Sequence, residues 1–174
     1  TKCINTNWIS SQGAYIGKFE KALAKYHGVR YCIVTSGCTS ALHLTLKSLN
    51  LGKGDEVICP DLTFIAPANM IVLSGAKLRL VDIDSETLTI DPKKIEKNIN
   101  KKTKAIMIPN LLGNIPNFKE IYKLARKYNL KVIEDSADTI GYSVKGKNFG
   151  NIEAAKRVAL YPNKQLIEER ASIL

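Results

Sequence analysis

Hydrophobic and polar positions alternate along this chain in blocks that predict strands and helices in turn. Short apolar runs of strand length lie at 31–35, 56–59, 78–82, 105–108 and 131–134. Between them, apolar residues recur at the three- or four-residue spacing of an amphipathic helix, at 14–27, 39–49, 64–73, 91–99 and 116–128. Repeated strand–helix units of this length predict an α/β fold in three layers (αβα), with a mainly parallel sheet between two layers of helices.

Helical spacing is also present at the two ends of the chain. Near the start, an apolar stripe with a glycine stop signal after it predicts a first helix; the residues of the stripe are Tyr15, Phe19, Leu23 and Tyr26, and the glycine is Gly28. Between 152 and 173, charged and apolar residues again stand at near-helical spacing, interrupted only by Pro162. A proline inside a helix removes a hydrogen bond and breaks or kinks it. We therefore expect this last segment to fold in its own way.

Composition indicates one globular domain. The 174 residues are 45% hydrophobic and 24% charged, which is enough to bury a sizeable core. No apolar run approaches the roughly 20 residues that a membrane-spanning helix needs, and no secretory signal pattern opens the sequence. We expect a cytoplasmic protein that has no membrane partner.

Charge and cysteine usage argue against two further classes of protein. The net charge is +10, but the lysines are spread over several predicted helices without the interleaved aromatic residues that stack on bases, so no nucleic-acid partner is expected. The four cysteines have no CxxC spacing; they are Cys3, Cys32, Cys38 and Cys59. Cys32 and Cys59 fall inside predicted strands, and we interpret the cysteines as reduced core residues of an intracellular protein, with no disulfides and no metal site.

Asp135 is the most informative residue for chemistry. It ends the apolar strand that begins near Val132. A carboxylate buried at such a position is costly unless a cation meets it. The carboxyl ends of parallel strands are also where α/β proteins bind ligands. The position therefore predicts a bound cationic group, for which a protonated pyridine ring would be suitable.

Three further segments have a structural and a functional interpretation. The turn at 35–40 precedes a helix, so Thr39 and Ser40 are either helix caps or ligands of a phosphate. Phe64 follows a strand end, where it is either a core residue or a ring that lies over a flat ligand. Lys164 stands in a predicted loop, where a lysine is normally solvated.

Taken together, these segments resemble the DegT-type nucleotide-sugar aminotransferases, which belong to the fold type I pyridoxal-phosphate enzymes. The matching stretches lie at 7–13, 19–20, 35–44, 52–57, 63–64, 81–84, 90–92, 132–141 and 145–150. The resemblance implies a partial pyridoxal-phosphate-binding large domain over 1–150. It also implies a divergent segment, 151–174, that carries the Schiff-base lysine, and the absence of the family's small C-terminal domain.

The resemblance also implies roles for individual residues. It assigns contacts with the cofactor to seven positions: Cys38, Thr39, Ser40, Phe64, Asp135, Asp138 and Lys164. Asp135 would pair with the pyridine nitrogen and Asp138 with the phenolic oxygen, Phe64 would stack on the ring, and Thr39 and Ser40 would hold the phosphate. Cys38 would have a packing role in the phosphate turn and would not act as a nucleophile.

Lys164 and Asp135 are the implied catalytic residues. Lys164 matches the lysine that binds the cofactor covalently and then moves a proton. Some relatives with a histidine here are dehydratases, so a lysine favours an aminotransferase, and the N-terminal motifs argue against a desulfurase-like enzyme. The sequence departs from the family at Ala159, where relatives carry a phosphate-binding serine, and it lacks the glycine-rich turn after the lysine.

Two functions follow as expectations. The first is a pyridoxal-phosphate aminotransferase that passes an amino group, from glutamate, to a nucleotide-linked 4-keto-6-deoxy sugar in polysaccharide or lipopolysaccharide biosynthesis. Its partners would be the nucleotide sugar, the amino donor and, in the full-length protein, a second copy of the chain. The alternative is a truncated, noncatalytic remnant or subunit of such an enzyme, since relatives are about twice as long.

Overall fold

A computed structural model describes residues 2–6, 13–139, 143–144, 147–148, 157–161 and 165–168. The helices are α1 (Lys2–Asn5), α2 (Ala14–His27), α3 (Cys38–Ser48), α4 (Ile65–Ser74), α5 (Pro92–Asn98) and α6 (Phe118–Lys127). The strands are β1 (Tyr31–Val34), β2 (Glu56–Pro60), β3 (Lys77–Val81), β4 (Thr103–Pro109), β5 (Lys131–Asp135), β6 (Ser143–Val144), β7 (Lys147–Asn148), β8 (Arg157–Tyr161) and β9 (Gln165–Glu168). A 3₁₀ turn, Leu111–Gly113, follows β4.

Seven of these strands form one sheet in the order β1-β9-β8-β5-β4-β2-β3. The neighbours β3, β2, β4, β5 and β8 pair in parallel, whereas β9 is antiparallel to both β8 and β1. The register sets Pro109 of β4 and Leu160 of β8 on either side of Asp135. The expected mainly parallel sheet is confirmed, and its central strands end together beside Asp135.

Apolar side chains pack on both faces of the sheet. In β4, Ala105 and Met107 belong to a cluster with residues of α3 and α4, while Ile106 and Ile108 belong to a second cluster with residues of α5 and α6. Successive side chains of a strand point to opposite faces, so a strand covered on both sides is apolar throughout. The three αβα layers predicted from the sequence are therefore present.

The ends of the helices follow from short local signals. Gly28 and Gly75 terminate α2 and α4 in the left-handed conformation, with φ of 65° and 91°, which glycine adopts without steric cost. Asp91 caps α5 by accepting a hydrogen bond from the backbone N–H of Lys93, and Pro92 occupies the first helical position. This combination is a common helix start.

Glu56 anchors the beginning of β2 through its buried carboxylate. Arg79 donates two side-chain nitrogens to it, with Nη2 and Oε2 separated by 3.0 Å, and Asn100 Nδ2 donates to Oε2 at 2.8 Å. The pKa of Glu56 is lowered, first by the hydrogen bond from Asn100 and then by Arg79, against the opposing effect of burial. The ionised carboxylate thus ties β2 to β3 and to the segment before β4.

Two expectations based on helical spacing are corrected by the structure. The first concerns the C-terminal segment: residues 157–161 and 165–168 are strands of the main sheet and not helical turns. Runs such as Val158-Ala159-Leu160 are short and apolar, and periodicity alone cannot separate a short buried strand from a helix. These strands belong to the same sheet as β1 to β5.

The second correction concerns α2. Its boundaries are as predicted, but three residues of the expected apolar stripe are exposed, namely Tyr15, Phe19 and Tyr26. The buried residues of this helix are Leu23 and His27. In the part of the chain that the structure describes, the aromatic stripe is therefore a surface feature.

Candidate functional site

A cleft of about 350 Å³ opens where β4 and β5 end and where α3 and α4 begin. Its lining is formed by Cys38, Thr39, Thr63, Phe64, Ala66, Pro109, Asn110, Leu111, Leu112, Asp135, Ala137 and Asp138. A wider groove of about 700 Å³ lies at the other edge of the sheet and includes Lys101, Lys104 and Lys131. The smaller cleft is the better candidate because ligands of α/β proteins bind at the carboxyl ends of the strands.

Asp135 is the buried charged group of this cleft, with 8% of its surface exposed. Its Oδ1 atom accepts hydrogen bonds from Cys38 Sγ at 3.3 Å and from the backbone N–H of Ala137 at 3.2 Å. No lysine, arginine or histidine among the described residues forms an ion pair with it. The carboxylate is held by two neutral donors and has no described cation beside it.

This environment raises the pKa of Asp135. Burial is the largest cause and the charge of Asp138 adds to it, while the hydrogen bonds from Cys38 and Ala137 act in the opposite direction. A cation inside the cleft would reverse the balance, because an opposite charge favours the ionised carboxylate. Asp135 is therefore suited to a positively charged ligand atom, as the sequence predicts.

The turn before α3 presents backbone N–H groups at the cleft. Gly37 occupies the N-cap position, and no side chain caps this end of the helix. The hydroxyl of Ser40 pairs with that of Ser36 at 3.0 Å, and the hydroxyl of Thr35 donates to the carbonyl of Gly37. The capping interpretation of Thr39 and Ser40 is thus wrong, and the helix start retains the N–H groups and dipole that attract an anion.

Phe64 forms a wall of the cleft and is not a core residue, since 69% of its surface is exposed. Beside it, the hydroxyl oxygen of Thr63 is buried and has no hydrogen-bond partner among the described residues. A flat ligand could cover the ring of Phe64 and supply a partner for this hydroxyl. Both features fit the stacking role that was predicted for Phe64.

Asp138 lies at the exposed rim of the cleft. Its Oδ2 atom accepts a hydrogen bond from the backbone N–H of Leu112 at 3.3 Å. Leu112 itself is 80% exposed and has a positive φ of 54°. Asp138 therefore joins the strand-end segment after β5 to the turn after β4, and its other carboxylate oxygen has no described partner.

Asn110 is a residue of the cleft that the sequence reasoning missed. It is only 1% exposed; its backbone N–H donates to the carbonyl of Asp135, and its side-chain Nδ2 donates to Ser136 Oγ. Its side-chain oxygen is buried and has no partner among the described residues. The available signal was its place directly after the buried strand β4, at the same edge of the sheet as Asp135.

The structure brings together most of the residues predicted for the site. Cys38, Thr39, Phe64, Asp135 and Asp138 all line the cleft. Ser40 lies in the first turn of α3 but is not part of the lining. Lys164 lies outside the described residues.

Three cysteines are free thiols, namely Cys32, Cys38 and Cys59. Cys32 and Cys59 are buried in β1 and β2, as predicted, and Cys38 is partly buried. Burial raises the pKa of Cys59 to about 12, with a smaller contribution from the charge of Asp135. No group of histidine, cysteine or acidic side chains in this part of the chain could hold a metal ion, and no described helix is long and apolar enough to cross a membrane.

The arrangement suits one kind of ligand. Along the cleft lie the uncapped start of a helix, an exposed aromatic ring, a buried hydroxyl and amide oxygen without partners, and a buried carboxylate without a cation. These features are complementary to a planar molecule that carries an anionic group at one end and a protonated ring nitrogen at the other. The residues present therefore fit such a group.

Comparison with known proteins agrees with the family that the sequence motifs resemble. Residues 1–168 match the model of the DegT/DnrJ/EryC1/StrS aminotransferase family. The chain is 44% identical over 163 residues to GDP-perosamine synthase of Caulobacter vibrioides, covering 94% of this chain and 44% of that enzyme. It thus spans less than half the length of that relative.

Solved structures agree in fold. An aminotransferase from Psychrobacter cryohalolentis superposes with a TM-score of 0.89 at 30% identity, over 97% of this chain and 45% of that one. NtdA from Bacillus subtilis, a structure with bound cofactor PMP, superposes with a TM-score of 0.82 at 34% identity, over 93% of this chain and 38% of that one. With its αβα layers and its cleft at the strand ends, the chain belongs to the DegT/DnrJ/EryC1/StrS aminotransferase family.

Proposed function

We propose that this protein is a pyridoxal-phosphate-dependent aminotransferase that acts on a nucleotide-linked keto sugar. The observation that carries the proposal is the environment of Asp135, a carboxylate 8% exposed that has no described cation partner and lies beside the uncapped start of α3. Family membership and the PMP bound to the related NtdA support the same cofactor.

The residues of the cleft have separate tasks in this proposal. Asp135 holds a proton at the ring nitrogen, and Phe64 covers one face of the ring. The N–H groups at the start of α3, with the hydroxyls of Thr39 and Ser40, bind the phosphate, and Asp138 faces the phenolic oxygen. The bound cofactor supplies an electron sink for the charge that develops when a substrate Cα proton leaves.

Lys164 is proposed as the residue that binds the cofactor covalently and moves the proton. It stands three positions after Tyr161, the last residue of β8, in the sequence. β8 runs parallel to β5, with Leu160 opposite Asp135. The strand that precedes Lys164 therefore ends at the same edge of the sheet as the cleft.

The proposed acceptor is a nucleotide-linked 4-keto-6-deoxy sugar and the proposed donor is glutamate, within polysaccharide or lipopolysaccharide assembly. The support is the 44% identity to an enzyme named GDP-perosamine synthase. Because the chain covers 44% of that enzyme, these substrates are proposed for the whole protein. A chain that binds cofactor without turnover would instead be a noncatalytic subunit.

We also propose that the protein acts as a homodimer, with residues 1–150 as the cofactor-binding part of the large domain. Exposed apolar side chains at and beside the mouth of the cleft support this, namely Phe64, Ile65 and Leu112. Exposed apolar patches of this kind mark interaction surfaces. Sedimentation at increasing concentration would detect the association.

The test of the proposed function is to trap the cofactor on the protein. The chain is mixed with pyridoxal phosphate, its visible absorption is recorded, and borohydride reduction is followed by peptide mapping. We expect a single labelled residue, Lys164, with loss of the visible band in Lys164→Ala and no change in Lys119→Ala, an exposed position on α6. Absent binding, or label scattered over several lysines, would contradict the proposal.

A further inference from the structure

We propose that Cys38 is a positioning residue for Asp135: its thiol fixes the carboxyl group so that Oδ2 is the oxygen presented to a bound ring nitrogen. The inference rests on the proposed function, and it concerns contacts that the structure shows directly. Cys38 would act on the cofactor only through Asp135.

The two carboxylate oxygens of Asp135 differ in their hydrogen bonds. Oδ1 accepts from Cys38 Sγ at 3.3 Å and from the Ala137 N–H at 3.2 Å. Oδ2 has no hydrogen-bond partner among the described residues. Two donors on one oxygen restrict rotation about the Cβ–Cγ bond, so the orientation of the carboxyl group is set before any ligand enters.

The two donors come from different parts of the fold. Ala137 lies two residues after Asp135 and would follow its backbone, whereas Cys38 is the first residue of α3 and lies 97 positions earlier in the sequence. The contact between Cys38 and Asp135 therefore connects the start of the helix that would bind the phosphate to the carboxylate that would bind the ring. Both ends of the ligand site are placed by one tertiary contact.

Cys38 is suited to this task because it remains a neutral donor. The start of a helix usually lowers a thiol pKa, but burial raises the pKa of Cys38, and the charge and hydrogen bond of Asp135 raise it further. The charge of Asp138 also raises the pKa of Cys38. The charge of Asp135 likewise raises the pKa of the nearby Cys59 thiol, which favours its neutral form. A thiolate at Cys38 would repel Asp135.

A thiol also donates more weakly than a hydroxyl. It can therefore orient the carboxyl group while lowering the pKa of Asp135 less than a serine would. Deleting the donor should raise that pKa, and a stronger donor should lower it. The pKa of Asp135 should follow the order Cys38→Ala, wild type, Cys38→Ser, from highest to lowest.

The first measurement is a carboxyl-carbon NMR titration of the ligand-free chain labelled at aspartate, with the Asp135 signal assigned by its loss in Asp135→Asn. We expect the order above, and no change in Cys32→Ala, because Cys32 is another buried thiol that has no hydrogen bond to Asp135. A purely packing role for Cys38 would leave the titration of Asp135 the same in the serine variant. That outcome would overturn the inference.

The second measurement is the affinity for pyridoxamine phosphate, which cannot form a covalent bond with a lysine. Loss of one weak hydrogen bond from a neutral thiol donor predicts roughly 2- to 10-fold weaker binding for Cys38→Ala, with recovery in Cys38→Ser. If wild type binds and Cys38→Ala binds equally well, the role of Cys38 is refuted while the proposed function stands. If wild type does not bind, the proposed function fails, and the NMR titration still decides whether Cys38 controls Asp135.

Discussion

Replacement of Asp135 by asparagine should separate cofactor binding from stability. Asparagine has nearly the same shape as aspartate, and its side-chain oxygen can still accept the hydrogen bonds from Cys38 and Ala137. The variant therefore removes one charge and leaves the contacts of Oδ1 in place. We expect weaker binding of the cofactor without a loss of folded-state stability.

The expected loss of affinity follows from the hydrogen bond that the charged carboxylate would make with the ring nitrogen. A hydrogen bond to a charged group contributes about 1.5–3 kcal/mol, so loss of the charge should weaken the binding of pyridoxamine phosphate by about 10- to 100-fold. Asp135 is 8% exposed and has no described cation partner, so neither water nor another ion pair should mask this effect. A neutral asparagine also cannot hold a proton on the ring nitrogen.

The effect on stability has the opposite sign. Because the pKa of Asp135 is raised above its ordinary value of 3.8 in the folded state, the ionised group disfavours folding. This penalty is absent at acid pH, appears as the pH rises through the folded-state pKa, and is fully present at neutral pH. Asp135→Asn should therefore be at least as stable as wild type at neutral pH, and any advantage should vanish in acid.

Calorimetric titration with pyridoxamine phosphate and urea unfolding at neutral and acid pH would measure both effects. Glu86→Gln is the matched control, because Glu86 is an exposed carboxylate in the loop after β3 and should change neither quantity. Unchanged affinity in Asp135→Asn would refute the assignment of Asp135 to the ring nitrogen. A clear loss of stability at neutral pH would refute the account of its burial.

The remaining predictions concern the scaffold. Glu56→Gln should lower the free energy of unfolding by about 1–2 kcal/mol at neutral pH. Because the pKa of Glu56 is lowered from 4.5, this difference in stability should be lost as the pH falls below that value. A difference that persists in acid would contradict the view that the ionised carboxylate stabilises the fold. Ile106→Ala, at a fully buried position, should lower the free energy of unfolding in urea by about 2–5 kcal/mol. Leu73→Ala, at an exposed position, should change it by about 0.5 kcal/mol or less. Equal losses in the two variants would contradict the described burial of these side chains. Burial raises the pKa of Cys59 to about 12, so its thiol should resist a disulfide reagent in the native chain and react in urea. Rapid labelling of the Cys59 peptide before unfolding would show that β2 is not buried as described.

The amino-acid sequence alone determined the order and type of the elements from 14 to 135. Short apolar runs and helical spacing act over a few residues, and signals such as Gly28 and the Asp91-Pro92 pair need no distant contact to specify a helix end. This local information was sufficient for the predicted α/β class. The position of Asp135 at a strand end, and its need for a cation, were predicted from the sequence for the same reason.

Spacing was insufficient where a segment depends on its neighbours. The run around Val158 has near-helical spacing, but it is a strand because β5 and β9 flank it and satisfy its backbone hydrogen bonds. Tyr15 and Phe19 have the pattern of a buried face, yet they are exposed because no described element packs over them. In both cases the elements that pack beside the segment decide its secondary structure or its burial, and the spacing within the segment does not.

The site itself required tertiary structure. Residues 38, 110 and 135 are far apart in sequence, and only the parallel register of β4 and β5 and the placement of α3 bring their side chains to one cleft. The sequence therefore determined which local structures form and which residue types are available for chemistry. Only the tertiary structure decided which groups are buried together and which oxygen of Asp135 is free, because burial and hydrogen bonding at this site depend on contacts between distant parts of the chain.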